Sequence, residues 1–271
     1  MTQLSSLTLF TCASTLRRRP CVSLGVFYAA LSFVIVWTIH ISADHSVITS
    51  ISISGGDPMR PDQMAFLIPE LPRLISTVLF LLTAMLTLIV TAHILPGNLE
   101  PDTLSCQLCR PVSRSMLLAG NLLGIAAGTS LIQLLFLTSV WLIISCKIGA
   151  FTLPYLAGLL IPVVAFLAAF SLAALLRLLI RKTALSTALV VLYCAFGSDL
   201  VRRFVTGDAP APLRTLVRIA AVFFPPVSEL TRLAAGFFTG GELSPIPLLA
   251  ALVSTAATAA ASILLFRRAD A

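Results

Sequence analysis

Six long apolar runs divide the chain, and the polar segments between them set its organisation. About twenty apolar residues in helical form cross about 30 Å of hydrocarbon. On that measure the runs predict membrane spans over 21–43, 74–95, 116–146, 155–180, 183–201 and 247–266. The third is too long to stand upright and must tilt or protrude. Pro162 inside the fourth predicts a kink. Ahead of the first span, Leu4, Leu7, Phe10, Ala13 and Leu16 recur among Ser and Thr residues. That spacing predicts a moderately amphipathic helix lying in the membrane interface within residues 1–20. Arg17, Arg18 and Arg19 follow, and Pro20 breaks the line. The arginines suit the start of a signal peptide, but the apolar stretch after them is too long for one. Ile41-Ser42-Ala43 is also a poor cleavage site, so the segment reads as an uncleaved anchor.

The polar segments orient the runs. Arg17 to Arg19, Arg110, Arg114, Arg177, Arg181, Lys182, Arg267 and Arg268 all fall on one side if both termini are cytoplasmic. The positive-inside rule favours that arrangement by ten basic residues to eight. Residues 44–72 and 202–244 are then outside. In the second of these, Leu213 to Phe224 and Val227 to Phe238 read as two short helices parted by Pro225 and Pro226. Their length and apolar content predict re-entrant helices that dip into the outer leaflet. The alternative is a seventh crossing over 213–236, but Arg214, Arg218, Glu229 and Arg232 would then stand in the bilayer, where charge is costly. The fold class expected is an all-α integral membrane protein, a single domain over 1–271.

One inner segment has regular helix punctuation. Pro101 suits a first helical turn, Asp102 places negative charge at that end, and Arg110 places positive charge at the other. Pro111 stops the helix, and Ser113 can cap the next one, which enters the membrane at Met116. A helix of about ten residues, roughly 15 Å long, pinned between two spans suits a docking element. The same pattern also suits a loop that only connects spans. Gly120, Gly124 and Gly128 follow at four-residue spacing, a face that lets another helix approach closely. Packing within the bundle and a dimer seam are both open to it.

Composition narrows the class. Of 271 residues 58% are hydrophobic and 11% charged, too little charge for a soluble domain of this length. The net charge of +7 sits largely beside the spans, where it meets anionic lipid rather than nucleic acid. Cys12, Cys21, Cys106, Cys109, Cys146 and Cys194 are scattered and make no disulfide framework. Cys106 and Cys109 form a C-x-x-C, open to a redox role or half a metal site, but no second pair completes four ligands. His40, His45 and His93 are not spaced as a metal pair on one helix face. No metal site and no catalytic residue is expected. There is no G-x-x-x-x-G-K-[ST], and the only lysines are Lys147 and Lys182, so the chain holds no P-loop nucleotide site. The deep polar residues are mainly Ser and Thr, with Gln133 in the third span. Carriers and intramembrane proteases usually place ionisable groups at depth. Energy for any work must therefore come from a partner.

The inner segment resembles the permease subunits of ABC-2 type exporters. Those chains read like E-x-G-T-L-x-x-L-L-x-x-P-V-S-R-x-x-L-L-x-G-K-x-x-G between their second and third spans. Glu100, Thr103, Leu104, Leu108, Pro111, Val112, Ser113, Arg114, Leu117, Leu118, Gly120 and Gly124 match in register. Asp102 stands where the pattern has Gly, and Asn121 where it has Lys. A second stretch, Phe223 to Gly241, resembles the segment before the family's last span, with Pro226, Arg232 and Gly236 in like places. Phe266 to Arg268 resembles the family's ending. Within the family the chain looks like permeases of the nitrous-oxide-reductase maturation type.

The resemblance implies a mechanism and a set of partners. Two permease chains, identical or related, pair in the cytoplasmic (inner) membrane, each docked on an ATP-binding subunit. ATP and magnesium belong to that subunit, and no cofactor belongs to this chain. The docking contacts would come from a coupling helix carrying Glu100, Asp102, Thr103, Leu104, Gln107, Leu108 and Arg110, with Pro111, Ser113 and Arg114 beside it. Pro225, Pro226, Glu229 and Arg232 would belong to the outer re-entrant helices, and the path would suit an amphipathic or lipid-like substrate. Two other readings stand beside it: a membrane-embedded maturation or assembly factor that moves no substrate, and an intramembrane enzyme or ion-coupled carrier.

Overall fold

The computed structural model describes residues 3–44, 47–53, 82–91, 94, 113–148, 153–180, 182–198, 201, 222–239 and 244–268. Helix α1 spans Gln3–Leu16 and α2 spans Arg19–Thr38. Strands β1 (Ile39–Asp44) and β2 (Val47–Ile53) follow as an antiparallel ribbon. Then come α3 (Leu82–Thr91), α4 (Arg114–Ile148), α5 (Leu153–Ile180) and α6 (Thr183–Leu192), which continues as a π-helical turn over Tyr193–Gly197. Helices α7 (Val227–Thr239) and α8 (Ile246–Arg268) complete it.

Among the described residues four helical stretches are long and apolar enough to cross a membrane: Arg19–Thr38, Ser115–Lys147, Leu160–Ile180 and Ile246–Arg267. The protein is a helical, membrane-embedded chain. Leu82–Thr91 and Thr183–Gly197 are shorter apolar helices that fall inside the second and fifth expected spans. The expected third, fourth and sixth spans lie within α4, α5 and α8 to within two residues at each end.

Two boundaries differ from the sequence reading. The first span was expected to run to Ala43, but α2 ends at Thr38 and the next residues are β1. Ile39 pairs with Ile53 and Asp44 with Val47, with a bulge between Ser42 and Ala43. Isoleucine suits a strand as well as a span, so apolar content alone misplaces that end. The all-α expectation thus gains a two-stranded ribbon. The second difference is at Val222 to Phe224, expected inside a helix, where the chain turns instead before Pro225.

Helix α5 is the centre of the bundle. Of its most apolar stretch 61% is buried, against 17% for α2 and 22% for α8, so the latter two present most of their surface outward. Phe166 and Phe170 stack within α5, their rings 5.9 Å apart, and belong to the main core with Leu118, Leu122 and Ile125 of α4 and Val227, Leu230 and Ala234 of α7. A second, smaller cluster joins Leu24 and Tyr28 of α2, Phe136, Leu137 and Val140 of α4, and Val163 of α5. The outward face of α2 carries Val26, Phe33 and Trp37, all largely exposed, as a lipid-facing helix requires.

Helix α4 has 35 residues, about 52 Å at 1.5 Å per residue. Two successive helices cover its length. A Cβ added to Gly120 would meet Leu7, one on Gly124 would meet Thr8 and Thr11, and one on Gly128 would meet Cys12 and Thr15. Both sets of numbers rise together, so α1 and α4 run in the same direction. Farther along, Tyr28 stacks on Phe136 at 4.4 Å, Ser32 Oγ lies 3.1 Å from Ser139 Oγ, and Lys147 Nζ donates to the Val36 carbonyl at 2.9 Å. Lys147, one residue past the expected third span, thus ties the end of α4 to the end of α2.

Candidate functional site

Residues Glu100, Asp102, Thr103, Leu104, Gln107, Leu108, Arg110 and Pro111, and with them Cys106 and Cys109, lie outside the described residues. The structure takes up the segment at Ser113. Helix α4 begins at the next residue, Arg114. The Met116 N–H donates to Ser113 Oγ at 3.4 Å, and the Leu117 N–H donates to the Ser113 carbonyl at 2.9 Å. Ser113 therefore occupies the capping position expected of it, with a long side-chain bond.

The glycine face beyond it is a groove filled by α1. A Cβ on Gly124 would stand 2.5 Å from Thr11 Cβ and 2.8 Å from the Thr8 carbonyl oxygen, closer than packed atoms approach. Gly120 would meet Leu7 Cδ2 at 2.5 Å, and Gly128 the Cys12 carbonyl oxygen at 3.3 Å. Of the two uses open to this face, packing within the chain is the one observed. Thr11 Oγ1 donates to Asn121 Oδ1 at 3.1 Å and fixes the register of the two helices.

The face of α1 that enters this groove is not the expected one. Phe10 and Ala13 of the expected apolar stripe are exposed, Phe10 at 68%, while Thr11 and Thr15 are buried. Steps of three residues drift around a helix of 3.6 residues per turn, so Leu4 to Leu16 do not share one face. The groove left by glycine also selects small side chains, which bring the backbones together.

Hydroxyl groups line the other helix contacts. The Tyr28 hydroxyl lies 2.8 Å from Thr87 Oγ1 and donates to the Thr83 carbonyl at 3.1 Å. Thr83, Thr87 and Thr91 form one wholly buried face of α3. On α8, Ser254, Thr258 and Ser262 form another, and Thr258 Oγ1 lies 2.7 Å from Ser171 Oγ of α5. Each of these α8 hydroxyls also donates to a carbonyl one turn back, which satisfies it in an apolar setting. Interhelical hydroxyl bonds between spans average about 0.6 kcal/mol. Thr258→Val is therefore expected to lower stability by about that amount, read as a small shift in the detergent-denaturation midpoint. A loss several times larger would mean that Thr258 holds more than Ser171.

At the other end, Tyr193 of the π-helical turn donates its hydroxyl to the Pro225 carbonyl at 2.9 Å, and its ring lies 5.0 Å from Phe224. Pro225 is buried there and Pro226 half-buried. The Leu230 N–H donates to the Pro226 carbonyl at 3.0 Å, which opens α7. Helix α7 is the second of the expected outer helices, in place to within one residue. Its apolar face is buried against α5 and α8, with Glu229 half-buried and Arg232 exposed.

Several buried polar atoms make no hydrogen bond: Thr15 Oγ1, Asn121 Nδ2, Ser130 Oγ, both amide atoms of Gln133, Arg177 Nη1 and Ser228 Oγ. Sequence reasoning marked Gln133 as deep and polar. It missed Tyr28, Ser171 and Thr258, whose partners lie 55 to 87 positions away in the chain. Among the described residues no three His, Cys, Asp or Glu side chains come together as a metal-holding group.

No known protein-family model matches the chain, and no curated protein matches it.

Proposed function

We propose that this chain is the membrane-spanning permease subunit of an ATP-driven exporter of the ABC-2 type, in the cytoplasmic membrane, with six spans and both termini inside. The observation that carries the reading is the segment Glu100 to Arg114, which leads directly into the cap of α4 and its glycine groove. A docking helix placed there would act on α4, the longest helix among the described residues. Force on that helix reaches α1 through the glycine contacts and α2 through Tyr28 and Ser32. The chain has no P-loop, so the energy comes from a separate ATP-binding subunit. A second permease chain completes the path, and the lipid-facing apolar surfaces suit an amphipathic or lipid-like substrate.

The test is co-purification with a candidate ATP-binding subunit. Leu104 and Leu108 would lie one turn apart on the coupling helix. Wild type is expected to bring down the ATPase, and Leu104→Asp with Leu108→Asp to lose it while keeping the same melting temperature. A folded wild type that captures no ATPase would remove the energy source and with it this reading.

A further inference from the structure

Gln133 lies on α4 between the two apolar clusters. Leu118, Leu122 and Ile125 belong to the cluster on one side, and Phe136, Leu137 and Val140 to the cluster on the other. Thr129, Ser130 and Gln133 form the polar step between them. Thr129 is satisfied by the Ile125 carbonyl at 2.7 Å. Ser130 Oγ and both polar atoms of Gln133 have no partner, and Gln133 is wholly buried. Residues three apart on a helix are neighbours on its surface, so these orphan groups stand side by side. A buried amide left unpaired costs about 2–7 kcal/mol, which an empty apolar setting would not offset.

The step is enclosed: Thr129 and Gln133 are both fully buried. Helices α1 and α2 meet α4 on another face: Thr15 packs at Gly128 and Tyr28 at Phe136, whereas Ser130 stands about 200° and Gln133 about 140° around the helix from Gly128. The Arg18 guanidinium donates to the Ile94 carbonyl at 3.4 Å, and Thr15 Oγ1 is another orphan.

We propose that Gln133 and Ser130 form a binding site for an uncharged group that both donates and accepts hydrogen bonds, a hydroxyl or an amide. The amide of Gln133 offers two donors and an acceptor, and the Ser130 hydroxyl offers one of each. With no ionisable side chain in the step, the site does not select a charged group. Two sources carry the chemistry: an ordered water, or the neutral polar end of an amphipathic molecule. The inference stands without the exporter reading, because it depends only on α4 and its neighbours.

The experiment uses the full chain in nanodiscs, as wild type and as Gln133→Met, which keeps side-chain length and removes both polar atoms. Radiolytic hydroxyl-radical labelling reports bound water beside buried residues. If water is the occupant, Phe136 and Leu137 are oxidised in wild type despite their burial, and Gln133→Met loses that labelling. If an amphiphile is the occupant, octanamide raises the melting temperature of wild type but not of Gln133→Met, and octanoate raises neither. Wild type with no labelling at these residues and no response to octanamide overturns the proposal. Those two wild-type measurements decide the matter even if Gln133→Met does not fold, and Ser130→Ala then serves as the second variant.

Discussion

Replacing Gly124 by leucine is expected to expel α1 from its groove on α4. The added Cβ alone would sit 2.5 Å from Thr11 Cβ and 2.8 Å from the Thr8 carbonyl oxygen, and the second of these is backbone, which cannot swing aside. The helices must separate, and the Thr11–Asn121 hydrogen bond goes with the contact. Overpacking of this kind costs about 1–3 kcal/mol or more. Cys12 reads the outcome: it is half-buried in wild type, with its backbone carbonyl against Gly128. In a variant keeping Cys12 as the only cysteine, Gly124→Leu should lower the melting temperature and raise the rate of maleimide labelling. Gly25, with nothing within 4 Å of an added Cβ, supplies the control, and Gly25→Ala should change neither. A Gly124→Leu chain with wild-type melting and labelling would show that α1 does not occupy the groove.

The length and limits of three of the long apolar helices were legible in the sequence because the bilayer imposes them. Apolar runs bounded by Arg, Lys or Pro mark α4, α5 and α8 closely. Hydropathy does not say which helix touches which, and the misreadings follow from that. The glycine repeat announced a close approach, but its partner, α1, carries Thr8, Thr11 and Thr15 on the approaching face. A search for apolar stripes passes over such residues, although small polar side chains are the ones that bring two backbones together. Ile39 to Ala43 extended the first apolar run without extending the helix, since β-branched residues favour a strand once a partner strand is at hand.

The site itself was legible in part. Ser113 was recognisable as a cap because it stands just ahead of a long apolar run, and Pro225 and Pro226 were recognisable as the break before α7. The Ser171–Thr258 contact was not, because Ser and Thr recur throughout the spans and only the register of α5 against α8 selects this pair. Gln133 stood out by its chemistry, yet its position between two apolar clusters appears only once α2, α4 and α5 are assembled.

Tyr28 is the residue whose loss should cost the bundle most. Its ring stacks on Phe136 at 4.4 Å with an interplanar angle of 15°, inside the cluster that joins α2, α4 and α5. Its hydroxyl reaches α3 at Thr83 and Thr87. One side chain thus holds α2 to two neighbours by different forces, and two substitutions separate them. Tyr28→Phe keeps the ring and removes the bridge to α3. Thr87 Oγ1 retains its bond to the Thr83 carbonyl at 2.6 Å, so no group is stranded and the loss should be about 0.5–1.5 kcal/mol. Tyr28→Ala removes the stack as well and leaves a cavity beside Phe136 and Val163, for which about 3–5 kcal/mol is expected. Unfolding in mixed micelles of increasing dodecyl sulfate measures both. The difference between the variants isolates the ring, because the hydroxyl is absent from each. If Tyr28→Ala proved no worse than Tyr28→Phe, the ring would add nothing to stability, and α2 would be held to α4 by its Ser32–Ser139 and Val36–Lys147 contacts instead.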